Sequence, residues 1–293
     1  MNRRAFLALA AAATRLRPTT ISLAQSPKPV RFIAFGDSGT GDEQQAALAR
    51  GMATQEFEFA LMLGDNIYPD GNKADVAAKF GRPYAELLKR GVRFYASLGN
   101  HDVKAGREWE INYPNFNMGG HHYYSFVQGD KLVEFFALDS NYFDATQAQW
   151  LERGLAASTA RWKIAFFHHP LYSSGSTHGS TLSLRAKLEP LLVKHGVAVV
   201  LSGHDHIYER LKPQKSVQYF VSGAGGKLRR GDLRDNSPLT AYGNDEVSSY
   251  MLFEATAERL SFKALDASGR TLDSGEILPL PAMRPAAAAA GVK

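Results

Sequence analysis

Five times in this chain of 293 residues a short apolar, strand-like run ends and is followed at once by Asp, Asn or His. RFIAF leads into GDSG at Asp37, FALML into GDNIY at Asp65 and Tyr68, and FYASL into GNHD at Asn100 and His101. KIAFF leads into HHP at His168, and VAVVL into SGHDH at His204 and His206. Unbroken apolar runs of this length are the pattern of strands buried on both faces of an α/β sheet, and such sheets build their ligand sites at the carboxyl ends of the strands. The chain is therefore expected to gather oxygen and nitrogen donors along one end of a sheet.

The composition narrows the partners. A chain of this length that is 44% hydrophobic and 22% charged can bury a large core. Its formal charge of +5 includes Arg3, Arg4, Arg15 and Arg17, all within residues 1–26, which hold no acid; without these four the balance is about +1. That balance offers no basic face for nucleic acid or an anionic membrane. Cysteine is absent, which excludes disulfides and thiolate metal sites.

Residues 1–26 read as an export signal. Asn2-Arg3-Arg4-Ala5-Phe6-Leu7 resembles the twin-arginine pattern, and the apolar stretch over 7–13 is too short to span a bilayer. Because Arg15 and Arg17 cut the apolar run short, a mitochondrial-type presequence or a frayed amphipathic helix is the other reading. The expected plan is a signal over 1–26, with a weak cleavage signal at Ser22-Leu23-Ala24, one folded domain over 27–278 and a disordered alanine-rich tail over 279–293. The expected partner for the signal is the twin-arginine export machinery. The expected destination is the periplasm or the exterior of a bacterial cell, with no stable membrane insertion after cleavage.

Strand and helix patterns alternate through most of the domain. Strands are expected over 30–35, 59–63, 94–98, 163–167 and 197–201, and helices over 43–54, 74–90 with a break at Gly81 and Pro83, 146–157 and 182–194. Gly129-Asp130 between 123–128 and 132–138 signals a hairpin. Later strands over 218–222, 249–254 and 259–264 have no helices between them, so the second half is expected to form its own, more antiparallel sheet against the first.

Asp37, Asp65, Asn100, His168, His204 and His206 are oxygen and imidazole donors suited to Fe, Zn or Mn, and they outnumber the needs of one four-coordinate ion. The ordered series GDSG, GDNIY, GNHD, the His of FFHHP and GHDH is similar to the motifs of the calcineurin-like metallophosphoesterases, and the Tyr of GDNIY resembles the purple acid phosphatases among them. This resemblance covers about residues 33–208 and extends to the compact tartrate-resistant type. It implies an α/β fold, a four-layer α/β/β/α sandwich with two central mixed sheets. It further implies that Asp37, Tyr68 and His206 bind Fe(III), that Asn100, His168 and His204 bind a divalent ion, and that Asp65 bridges them. The implied reaction is hydrolysis of phosphate monoesters of small phosphorylated substrates by metal-bound hydroxide, with a phosphodiesterase or nucleotide hydrolase on the same core as the alternative. A binding protein without turnover is the third reading. Two carboxylates, a tyrosinate and a hydroxide bring about four negative charges, so a trivalent ion is needed to leave the pair with a positive charge for phosphate.

Two histidines are left for proton transfer. His101 is expected to bind phosphate or donate a proton, with the neighbouring Asp102 orienting its imidazole. His178, on the Gly/Ser-rich STHGST stretch, resembles the family's leaving-group histidine. His169 is expected to pack behind the centre. Gly223 to Gly226 reads as a turn because the helix and Lys-Ser/Thr of a phosphate-binding loop are missing. His121 and His122 read as the start of a strand with packed tyrosines, with a place at the border of the pocket as the alternative. Lys227, Arg229 and Arg230 read as a solvated charge run, with recognition of a substrate's distal groups as the alternative.

Overall fold

Every residue of the first apolar run except Arg31 is buried, so this strand has no solvent face and needs cover on both sides. The computed structural model describes residues 28–279. In chain order these form β1 (Val30–Phe35), α1 (Glu43–Ala53), β2 (Phe59–Leu63), α2 (Ala85–Lys89), β3 (Arg93–Ser97), α3 (Arg107–Glu110), β4 (Tyr124–Gln128), β5 (Val133–Ala137) and α4 (Ala145–Ala157). They continue with β6 (Trp162–Phe166), α5 (Leu182–Lys194), β7 (Val199–Ser202), β8 (Tyr208–Leu211), β9 (Gln218–Ser222), β10 (Thr240–Asn244), β11 (Ser249–Ala255), β12 (Leu260–Asp266) and β13 (Thr271–Ile277). The signal assigned to 1–26 and nearly all of the tail assigned to 279–293 lie outside the described residues.

Local chemistry places the helices. Asp42 caps α1 by accepting from Gln45 N at 3.0 Å, and Asp144 caps α4 by accepting from Gln147 N at 2.8 Å. Between β2 and β3 the expected break is present: a π-helical turn at Ala77–Gly81 stops before α2 begins.

The strands form two mixed sheets, ordered β13-β12-β11-β1-β2-β3 and β10-β8-β9-β7-β6-β5-β4. This corrects the expectation that the second half builds its own sheet. β11 to β13 instead extend the first sheet, with β11 antiparallel to β1 from Val30↔Ala255 to Ala34↔Met251. The physical reason is the edge of β1: an apolar strand with an unpaired edge is costly in water, and β11 covers it with buried Tyr250, Met251 and Phe253.

Three apolar clusters define four layers. Phe32, Phe59 and Phe253 of the first sheet meet Phe135, Ile164 and Phe220 of the second in the central core. Leu48 and Met52 of α1 and Leu87 of α2 cover the other face of the first sheet. Leu151 and Leu155 of α4, with Leu184, Leu188 and Leu192 of α5, cover the other face of the second. The result is the α/β/β/α sandwich. Gly36 N, just past β1, donates to Ser222 O at the end of β9 at 2.8 Å, so the carboxyl ends of parallel strands from both sheets meet at one rim.

Candidate metal centre

At that rim the chain has to turn sharply while presenting side chains inward. Asp37, Asp65 and His204 follow β1, β2 and β7 with φ of 56°, 53° and 73°, the left-handed region that non-glycine residues seldom occupy. Two glycines leave room for the carboxylates. A Cβ on Gly99 would lie 2.1 Å from Asp65 Oδ1, and one on Gly203 would lie 2.4 Å from Asp37 Oδ2.

The sequence-predicted residues converge in two groups around Asp65. In the first, Tyr68 OH lies 3.1 Å from Asp37 Oδ1 and 3.2 Å from His206 Nε2, which is itself 3.5 Å from Asp37 Oδ1. In the second, His168 Nε2 lies 2.9 Å from Asn100 Oδ1, 3.1 Å from His204 Nδ1 and 3.5 Å from Asp65 Oδ1. Atoms of Asp37, Asp65 and His168 fall within 4.8 Å of one another, a span that suits metal coordination. Backbone donors fix both carboxylates: His204 N donates to Asp37 Oδ2 at 2.8 Å and His101 N to Asp65 Oδ1 at 2.9 Å.

The donor chemistry fits cations. Asp37 and Asp65 are 0% and 1% exposed, and among the described residues neither ion-pairs with a lysine or arginine; their close partners are imidazoles. His168 Nδ1 faces the Leu63 carbonyl at 3.0 Å, and a carbonyl only accepts, so Nδ1 carries the proton. Nε2 is then a lone pair aimed at two oxygens and a second imidazole. Burial pushes His168 and His204 well below the ordinary imidazole value and His206 down to about 4, with Arg229 adding to the last. Burial, then the charge of Asp65, pushes the Asp37 carboxyl up, and burial followed by Asp37 and Asp65 pushes the Tyr68 phenol up. Neutral imidazoles beside buried acids with no counter-charge make a poor site for anything except positive ions, which would reverse these shifts.

His101 lies at the mouth of this group. Its Nδ1 donates to the Pro69 carbonyl at 2.5 Å, which leaves Nε2 turned toward Asp65 Oδ2 at 3.9 Å. Asp102 does not orient it, which corrects the sequence-based expectation. The Asp102 carboxylate is fully buried and accepts from Gly99 N at 2.8 Å, Asn66 N at 2.8 Å and Ile67 N at 3.1 Å. It therefore clamps the GDNIY and GNHD loops together from below. Burial and the charge of Asp65 push it up to about 7.

His178 is exposed, with its ring centroid 4.2 Å from that of His204. Two buried acids that sequence reasoning passed over hold its loop. Asp205 accepts from Gly179 N at 3.1 Å and from the Ser173 hydroxyl. Asp232 accepts from Ser176 Oγ at 2.8 Å and Thr177 N at 3.0 Å. Asp205 stood in plain view inside GHDH, between two ligand candidates; Asp232 had no local signal. His169 packs behind the centre, 4.5 Å from the His204 ring, with Nδ1 2.9 Å from Ser140 Oγ.

The glycine run and the histidine pair lie outside the ligand set of the centre. Gly223 N and Gly225 N donate to the carbonyls of Ile207 and Gly36, so these amides are not free for phosphate. His122 pairs with Glu108 at 3.2 Å, and His121 is exposed.

These shifts predict how the chelated protein responds to pH. A carboxyl with a raised folded pKa makes the folded state hold extra protons, so its contribution to stability falls as pH rises from its ordinary value through the folded one. Asp37, Asp102 and the buried Glu110, pushed up by burial and then by the charge of Asp102, behave this way. The lowered imidazoles do the opposite, but only up to their ordinary 6.5. Above 6.5 the carboxyls act alone. The Tm of chelated protein should therefore fall by several degrees as pH rises from about 6.5 to about 8.5, while metal-loaded protein stays level. A flat calorimetric Tm for the chelated protein over this range would contradict the burial of uncompensated acids.

Comparison with known proteins gives a consistent picture. The family model for calcineurin-like phosphoesterase matches residues 30–208. Purple acid phosphatase 17 of Arabidopsis thaliana is 30% identical over 255 residues, covering 75% of this chain and 74% of its own. Tartrate-resistant acid phosphatase type 5 of Oryctolagus cuniculus is 26% identical over 294 residues, covering 83% and 89%. Among solved structures, GAP50, the anchor in the inner membrane complex of Plasmodium, has a TM-score of 0.73 at 19% identity, covering 87% of this chain and 90% of that one. A purple acid phosphatase from yellow lupin seeds has a TM-score of 0.71 at 18% identity, covering 87% and 54%. Both structures share the fold.

Proposed function

The chain belongs to the calcineurin-like phosphoesterase family, on its purple acid phosphatase branch, and from that premise we propose that it hydrolyses phosphate monoesters at a centre of one ferric and one divalent ion. Asp37, Tyr68 and His206 would hold the ferric ion, Asn100, His168 and His204 the divalent one, and Asp65 would be shared. The observation that carries this reading is the pair of buried carboxylates that have no lysine or arginine partner among the described residues and are ringed by neutral imidazoles. Bound there, the ions supply positive charge for phosphate oxygens and make a water acidic enough to act as nucleophile.

The protein's own contribution is positioning and proton transfer. Backbone donors from His204 and His101 hold Asp37 and Asp65 before any ion arrives, so little reorganisation accompanies loading. Because burial and two carboxylates favour the phenol form of Tyr68, a phenolate there calls for a highly charged neighbour, which favours a trivalent ion. As the imidazolium, His101 would donate from Nε2 to a phosphate oxygen at the mouth, and His178, on the exposed side, would protonate a leaving oxygen. A monoester brings one more negative charge than a diester, and a net positive centre favours the more highly charged ligand.

Metal analysis with a visible spectrum tests the assignment. A ferric–tyrosinate pair absorbs in the visible, so loaded protein should be purple or pink, and Tyr68→Phe should lose the colour while keeping much of the activity. Iron-free, colourless, fully active protein would overturn the ferric assignment. Faster turnover of an aryl diester than of the matching monoester would overturn the monoester reading. Full loading without turnover would leave a binding protein on a fold that also serves GAP50, an anchor.

A further inference from the structure

Beside the candidate ferric site lies an open cleft of about 590 Å³ bordered by Tyr68, Pro69 and His206 on one side and by Lys227 and Arg229 on the other. The segment carrying these two cations is pinned to the centre by its backbone. Lys227 N donates to Asp37 O at 2.9 Å and Arg229 N to His206 O at 3.1 Å. Their side chains differ in how far the fold uses them. Lys227 is exposed, with Nζ 4.3 Å from the Tyr68 ring centroid, and among the described residues it has no carboxylate partner. Arg229 is part-exposed; among the described residues its buried Nη1 has no hydrogen-bond partner and forms only a long ion pair with Asp232 at 3.7 Å.

Other charges around the cleft are committed elsewhere. Lys79 is held by Asp75 at 2.8 Å and by the Tyr68 carbonyl. Asp42 is occupied in capping α1. Arg230 turns away, its Nε donating to Glu246 O at 3.1 Å, and lines a separate hollow with Val247 and Ser248. Lys227, with no carboxylate partner among the described residues, and Arg229, whose guanidinium is part-exposed and reaches only the buried Asp232, thus face a cleft that is continuous with the centre yet outside its ligand set. Lys227 lies over the face of the Tyr68 ring, whereas the phenol oxygen is the end that meets Asp37 and His206.

We propose that this cleft receives a second anionic group of the substrate, phosphoryl or carboxylate, while the scissile phosphate occupies the centre; Lys227 and Arg229 are then specificity-determining residues. The inference rests on the phosphatase reading above. The guanidinium fork suits a planar carboxylate or two phosphate oxygens, and the ammonium adds a point charge. A charge-assisted contact at a half-exposed site corresponds to roughly a tenfold change in affinity.

The test uses the metal-loaded full chain and calorimetric binding of three probes: inorganic phosphate, methylenediphosphonate for a second phosphoryl group and phosphonoacetate for a second carboxylate. The wild type should prefer at least one two-anion probe over phosphate, and which one identifies the second group. Lys227→Gln and Arg229→Gln should each narrow that preference about tenfold, and Lys227→Arg should restore part of it. Arg230→Gln should leave the preference as it is. An unchanged preference in the Lys227→Gln/Arg229→Gln double variant would overturn the proposal. So would a loss of phosphate affinity in step with the two-anion probes, which would place the cations on the scissile phosphate. Phenyl phosphate turnover by the wild type is measured alongside, so a failure of the phosphatase reading shows itself separately from a failure of the cleft.

Discussion

Asp65→Ala is expected to lose tight binding of both ions and to lower turnover by at least ~10³-fold, since metal assistance contributes several kcal/mol to the barrier. Asp65 is the side chain both groups share. It lies 3.5 Å from His168 Nε2 on one side, and its charge acts on Asp37 and Tyr68 on the other. Alanine removes that charge and also strands His101 N, which donates to it at 2.9 Å. Asp65→Asn separates the two effects: it keeps an acceptor for His101 N but lacks the negative charge, so metal content should still drop. Elemental analysis of purified protein reads both variants directly. An alanine variant that holds two ions per chain with more than a tenth of wild-type turnover would remove Asp65 from the bridging position.

Much of this centre was legible because its donors sit directly at strand ends, where sequence order and spatial order agree. A buried strand such as VAVVL has one direction to run, and the residue that follows it has to stand at the rim. Direction of a side chain off that rim is another matter. Asp102 follows His101 in sequence, yet it opens a short 3₁₀ turn, Asp102–Lys104, that sends its carboxylate beneath the loop toward Asn66 and Gly99. Adjacency along a turn says little about which neighbours a side chain meets. Asp232 was invisible for a related reason: it holds the His178 loop across more than fifty residues, and only the closed fold brings the two together.

The sheets divide along the same line between local and distant information. Apolar runs identified the strands near the centre, and α5 begins and ends where the pattern places it. Three strands escaped because their patterns are weak: YERL of β8 carries two adjacent charges, TAYGN of β10 has little apolar surface, and TLDSGEI of β13 buries only Asp273. Which sheet a strand joins depends on edges. β11 pairs with β1, its distant partner, and no periodicity within β11 records that choice.

The two histidines at the mouth should separate in their kinetics. His101→Ala keeps the backbone donor to Asp65, so both ions should remain bound. It removes the imidazole whose Nε2 faces the centre, and the loss of a proton-transfer group should lower turnover by ~10²–10⁴-fold. His178→Ala removes an exposed ring that stacks near His204 and leaves the loop anchored by Asp205 and Asp232. If His178 protonates the leaving oxygen, the variant should lose far more rate on alkyl phosphates, whose leaving groups need a proton, than on a nitrophenyl ester, whose leaving group does not. The pH profile gives an independent reading. The alkaline limb for alkyl substrates, where a general acid gives up its proton, should lose its dependence on a protonated group in His178→Ala and keep it in His101→Ala. Equal losses on both substrates, or a His101→Ala protein that arrives without metal, would exchange or remove these roles.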